Sequence, residues 1–177
     1  HFEARRQRQM CIRDRGVSCT GPATPFEITV NPTAQVNPTV DMVVTDGDDI
    51  DIPFSTINTG GTSTYTWTNT DPTTGLTNTG SSDIGFTAVN TGTSPITTTV
   101  VVTPTFENGG NSNSGPTDTF IITVNPTAQI DPIDSLVFCD EDVIDPIVFT
   151  TQNTGGTTTY TWTCLLYTSP SPRDLTA

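Results

Sequence analysis

The chain has 177 residues, with 6 Lys and Arg against 19 Asp and Glu, and a formal net charge of −13. That balance excludes recognition driven by phosphate, because a nucleic acid or an anionic membrane surface repels a chain with so little basic surface to displace counterions. No apolar run approaches the roughly 20 residues of a membrane span, so membrane insertion is not expected.

In chain order, the first 15 residues stand apart. RRQRQMCIRDR, residues 5–15, holds Arg5, Arg6, Arg8, Arg13 and Arg15, and Arg173 lies at the other end in CLLYTSPSPRD, residues 164–174. Both stretches closely resemble translations of the two arms of the adapter DNA used in transposase-based short-read sequencing, residue by residue. The resemblance implies that 1–15 and 164–177 are not native protein. It also implies that 16–163 is a piece of a longer chain. The competing reading is a basic tail for anionic partners, which rests on charge alone. Segments of foreign origin are set aside before a fold is considered. Residues 16–163 then hold 13 Asp, 3 Glu and no Lys, Arg or His, so this stretch has no side-chain ion pairs of its own. They also hold 37 Thr, a β-branched residue suited to the solvent face of a strand. The competing reading of a Thr-rich acidic chain is disorder. Alternating Val, Ile and Phe, with Trp67 and Trp162, favour a folded all-β domain.

The stretch repeats itself. ITVNPTAQV at 28–36 returns as ITVNPTAQI at 122–130, and NTGGTSTYTWT at 58–68 returns as NTGGTTTYTWT at 153–163. The expected organisation is the end of one repeat at 16–33, a complete repeat at 34–127, and the opening of another at 128–163. A unit of that length is large enough to bury its own core. Within the complete repeat, strands are expected at 40–44, at 50–56 with Ile50, Ile52 and Phe54 on one face, and at 62–70 with Tyr65 and Trp67 on one face. Further strands are expected at 82–90, at 95–106, and at 118–124 with Phe120, Ile122 and Val124 inward. The loop 71–81 has room for a short edge strand. Turns fall at Gly60-Gly61, at Asn90-Thr91-Gly92 and at Asn108-Gly109-Gly110, residues that tolerate positive φ. Six or seven short strands with a tryptophan on the third form the pattern of an immunoglobulin-like β-sandwich. Asn31-Pro32 and Asn125-Pro126 close each unit, since proline cannot continue a ladder.

The closing strand, the TYTWTN strand and VNTGTSPITTTVVVTPTFENG together resemble the PKD-like repeats of Bacteroidota surface proteins. The resemblance spans essentially all of 16–163. It implies tandem immunoglobulin-like sandwiches in a large secreted chain, and hence a cell-surface or extracellular location. Family members often carry two cysteines in one repeat. By that resemblance, Cys139 is expected to pair with a residue beyond this stretch and Cys19 with one before it, rather than with each other, a role suited to an oxidising compartment. The competing reading is that both are plain buried thiols. Cys11 and Cys164 belong to the adapter-like ends.

The chemistry is mostly excluded. Without histidine in 16–163, no Ser/His/Asp or Cys/His nucleophile system can be assembled, and no lysine is present for a Schiff base. No catalytic residue is expected. The acidic loops are the one polar constellation. Asp46, Asp48, Asp49 and Asp51 lie in TDGDDIDIP, and Asp140, Glu141, Asp142 and Asp145 lie in the matching loop. Calcium takes six to eight oxygens, so Asp46, Asp48, Asp49, Asp140 and Asp142 are weak calcium candidates beside the plainer reading of solvated acidic turns. The EF-hand spacing is not met, because Ile50 and Ile57 stand at ligand positions. Trp67 and Trp162 suit sugar stacking if exposed, but as third-strand tryptophans both are expected in a core. The expected partners are neighbouring repeats of the same chain, with surface glycans or proteins as further partners. The function these readings lead to is a non-enzymatic structural or adhesion repeat. The alternative is a carbohydrate-binding accessory module of a secreted polysaccharide-degrading enzyme.

Overall fold

The computed structural model describes residues 23–139 and 141–164. Among them the chain is all-β, with eight strands and one 3-10 turn. In chain order these are β1 (Met42–Thr45), β2 (Asp49–Ile52), β3 (Thr62–Asn69), the 3-10 turn Pro72–Thr74, β4 (Thr79–Ser81), β5 (Ile84–Thr87), β6 (Ile96–Asn108), β7 (Asn111–Ser114) and β8 (Asp118–Asn125). One sheet runs β1-β8-β6-β3-β4, with β7 also paired to β6, and a second sheet is β2-β5. All pairings are antiparallel except β1 with β8, which are parallel in register Met42↔Ile122 to Thr45↔Asn125.

Local chemistry sets the strand limits. The second expected strand stops at Ile52 because Pro53 follows and cannot donate to a ladder. Phe54 still turns inward, its N–H held by Asp83 Oδ1 at 2.8 Å. The fourth expected strand shrinks to Ile84–Thr87. The fifth lengthens, running through Pro104 to Asn108. Pro104 stands where the partner of β6 changes from β8 to β7, and its carbonyl accepts the Gly115 N–H at 3.0 Å. The 71–81 loop holds both the 3-10 turn and β4. β4, Thr-Gly-Ser, and β7, Asn-Ser-Asn-Ser, carry no apolar signature, and β7 is exposed at every position. Gly109 and Gly110, at φ 61 and 75, create it by supplying the two positive-φ residues of a tight hairpin between paired Asn108 and Asn111.

The core lies between the inward faces of the two sheets. From the large sheet come Trp67, Val100, Val102, Phe120, Ile122 and Val124, and from the small one Ile52 and Ile84, joined by Phe54, Leu76 and Ala88. Along β6 every second residue from Thr98 to Phe106 is buried, the period of two that the sequence carries. Trp67 is 6% exposed. Gly80 pairs with it across β3–β4, and a Cβ at Gly80 would collide with the indole. The buried amides are satisfied, as burial requires. Asn69 Nδ2 donates to the carbonyls of Asp71 and Leu76 at 3.0 and 2.9 Å, and its Oδ1 accepts from the Thr98 hydroxyl. Asn90 Nδ2 donates to Ser94 and Val124 carbonyls at 2.9 and 2.8 Å. By contrast, the Trp67 Nε1 is buried without a hydrogen-bond partner.

Neither flank forms a strand among the described residues. Phe26, Ile28 and Val30, which match Phe120, Ile122 and Val124, are 63, 74 and 81% exposed. Trp162, which matches Trp67, is 73% exposed.

Candidate functional site

The acidic loop between β1 and β2 is a tight turn. The Asp48 N–H reaches the Thr45 carbonyl at 3.0 Å, and Gly47 takes φ 89. Ala88 locks the turn to the strand behind it, accepting from the Gly47 N–H and donating to the Asp48 carbonyl, both at 2.8 Å. The carboxylates then reach outward to different neighbours. Asp46 Oδ1 accepts the Asn90 N–H and its Oδ2 accepts the Thr127 hydroxyl, each at 2.8 Å. Those two bonds, the Asn90 one first, hold the Asp46 carboxyl below the usual carboxylate range. Asp48 Oδ2 accepts the Thr45 N–H at 2.8 Å, and Asp49 Oδ1 accepts the Thr87 hydroxyl at 2.8 Å.

The fold therefore gathers Asp46, Asp48 and Asp49 into one loop but aims each at its own donor. Asp51 is exposed. In the matching loop, Asp142 Oδ2 accepts the Cys139 N–H at 2.6 Å, the counterpart of the Asp48 bond to Thr45. Asp140 lies outside the described residues. Among the described residues, no group of three or more His, Cys, Asp or Glu side chains is placed to hold a metal ion. The donors Asn90, Thr87 and Thr127 are the residues that sequence reasoning missed. Of these, Thr127 carried a signal through the repeated Asn-Pro-Thr, and Asn90 only as a turn residue.

Among the described residues, Cys139 and Cys164 are exposed and form no disulfide, so the reading of a plain buried thiol does not hold for Cys139. Cys19 and Cys11 lie outside the described residues.

The outer face of the large sheet is a hydroxyl surface. Thr62, Thr64, Thr66 and Thr68 of β3 are exposed, with Thr66 between Ser81 and Thr103, and Thr64 opposite Thr105. A shallow groove of about 350 Å³ runs over Gly80, lined by Thr66, Trp67, Thr68, Thr79, Ser81 and Thr103. It offers hydroxyls but no titratable side chain. Among the described residues, no helix is long and apolar enough to cross a membrane. Compared with family models, curated proteins and solved structures, the chain matches none of them.

Proposed function

We propose that residues 34–127 form an immunoglobulin-like, PKD-like β-sandwich unit that serves as a non-enzymatic structural or adhesion repeat in a bacterial cell-surface or secreted protein. The observation that carries this reading is the placement of Trp67. The large aromatic of the third strand is packed among Ile52, Phe54 and Val102 rather than offered to a ligand. Two sheets with one shared apolar cluster support the sandwich, as does the third-strand position of the tryptophan. The tandem sequence supports a repeat in an extended chain. The mechanism is mechanical: packed units, spaced by proline joints, hold a terminal module away from the cell. The adapter-like tips take no part in it.

The second reading, a carbohydrate-binding accessory module, draws on the exposed indole of Trp162. Co-sedimentation with insoluble polysaccharides separates the two. The structural repeat stays in the supernatant, whereas retention that disappears in Trp162→Ala moves the protein to the second reading.

A further inference from the structure

We infer that the linker Asn31–Gln35 is a locked joint, which holds consecutive units in a fixed relative orientation. This inference rests on reading 34–127 as a repeat unit. Three holds act on the linker. Asn58 spans it, with Nδ2 donating to the Thr33 carbonyl at 3.0 Å and Oδ1 accepting the Gln35 N–H at 2.8 Å. Asn58 is itself anchored, because its N–H and Oδ1 both bond the Thr56 hydroxyl, at 3.1 and 3.0 Å. Between those two clasp points, Ala34 is 1% exposed and lies under Gly115, where any Cβ would overlap the Ala34 backbone. The β6–β7 hairpin makes the third hold. Asn31 Nδ2 donates to the Asn108 carbonyl at 3.1 Å, Asn108 Nδ2 donates to Asn31 Oδ1 at 3.0 Å, and Asn113 Nδ2 donates to the Pro32 carbonyl at 3.1 Å.

The clasp forms a second time, one repeat later. Asn153 Nδ2 donates to the Thr127 carbonyl at 3.2 Å, and its Oδ1 accepts the Gln129 N–H at 2.7 Å. The anchor recurs as well, with the Asn153 N–H and Oδ1 both on the Thr151 hydroxyl, at 3.1 and 3.0 Å. Ala128, with no hairpin over it among the described residues, is exposed where Ala34 is buried. This second joint also touches the far end of the complete unit. The Thr154 N–H reaches the Thr93 carbonyl at 2.7 Å, and Gly155 sits against Pro95. A hinge keeps few long-range contacts and leaves its backbone to water. Here the linker carbonyls of Pro32 and Thr33 and the N–H of Gln35 are all bonded to the following unit. The partner this surface fits is the Asn-Pro-Thr-Ala-Gln segment that joins the preceding unit to this one.

The test is backbone ¹⁵N relaxation on the full 177-residue chain, unmodified and as Asn58→Ala and Asn31→Ala. In the unmodified chain, order parameters at Thr33, Ala34 and Gln35 are expected near 0.85, the rigid-backbone level, alongside those of β6 and β8. In Asn58→Ala they are expected below about 0.6 with β6 unchanged, and Asn31→Ala is expected to lower them less. Linker values below about 0.6 in the unmodified chain would overturn the joint, as would no change in either variant. Trp67 emission, read on the same chains carrying Trp162→Phe so that the exposed indole does not contribute, separates the two levels. Buried-type emission with a mobile linker overturns the joint alone, whereas solvent-type emission overturns the unit and the joint together. Because Asn58 and Asn31 lie outside the core cluster, both variants keep the unit folded and leave the outcome readable.

Discussion

Residues 58–68 and 153–163 differ only at Ser63 and Thr158, yet the first stretch holds all of strand β3 but its last residue and the second holds no strand. Their local contacts are alike. Asn58 and Asn153 make the same turn and the same clasp, Phe54 meets Tyr65 at 5.5 Å between ring centroids, and Phe149 meets Tyr160 at 5.7 Å. The backbone pairing that defines β3 comes from β4, over Thr66↔Ser81 to Thr68↔Thr79, and along its whole length from β6, over Thr62↔Glu107 to Asn69↔Val100, some 30 or more residues further along. The opening segment of the next repeat has no such strand opposite it among the described residues. Short-range chemistry thus writes the turns, and long-range pairing converts an alternating sequence into a strand and closes it over a core. The same holds at the other flank, where Phe26, Ile28 and Val30 have the residues of β8 but not its neighbours.

Hydrogen exchange tests this contrast with the largest expected effect. Amides of Tyr65–Thr68 are expected to exchange at least about a thousandfold more slowly than those of Tyr160–Thr163, because only the first open with the global unfolding free energy. Equal protection would break the comparison. Replacement of the two tryptophans comes next. Trp67→Ala is expected to lose about 3–5 kcal/mol in denaturant unfolding followed by circular dichroism, and Trp162→Ala to stay within about 0.5 kcal/mol. Similar losses at both sites would mean that Trp162 has a core of its own. Gly80→Ala sharpens the same point from the facing strand. It places a Cβ against the Trp67 indole, and an overpacking loss of about 1–3 kcal/mol is expected by the same method.

A smaller effect is expected in acid. Hydrogen bonds hold the Asp46 and Asp71 carboxyls below the usual range, for Asp46 from Asn90 and then Thr127, for Asp71 from the Thr73 hydroxyl and then its N–H. A depressed folded-state pKa contributes stability that is present above the unfolded value and lost as pH falls through the folded one. The melting temperature of the complete unit is therefore expected to hold from neutral pH and to decline below about pH 4, and the decline to be shallower in Asp46→Asn. The smallest expected effect is that of calcium. With Asp46, Asp48 and Asp49 each bonded to a separate donor, millimolar calcium is expected to leave the melting temperature unchanged. A rise that Asp48→Asn removes would make the loop a cation site.

The strands and the facing of the core residues were legible because they follow a period of two. Ile52, Phe54, Phe120, Ile122 and Val124 could be assigned to one face from alternation, and Trp67 to the core from its place on the third strand. The uses of polar residues were not legible. β7 has no apolar member, and only the Gly109–Gly110 turn and the edge of β6 make it a strand. Ala34 reads as an ordinary linker residue until Gly115, 81 positions away, is seen above it. The acidic loop reads as a ligand cage because sequence shows how many carboxylates are present but not which donors each one meets. Asn90 was legible only as a turn residue and Thr127 only as part of the repeated Asn-Pro-Thr, and nothing in their spacing marks either of them, or Thr87, as a donor to the acidic loop.

The parallel pairing of β1 with β8 has a consequence for a chain under tension. These are the first and last strands of the unit, lying side by side and running the same way, so the incoming chain enters at one end of the pair and the outgoing chain leaves at the opposite end. A pull along the chain drags the two strands past each other and stretches all the hydrogen bonds between them at once. It does not peel them apart singly from one end, so resistance comes from the whole ladder acting together.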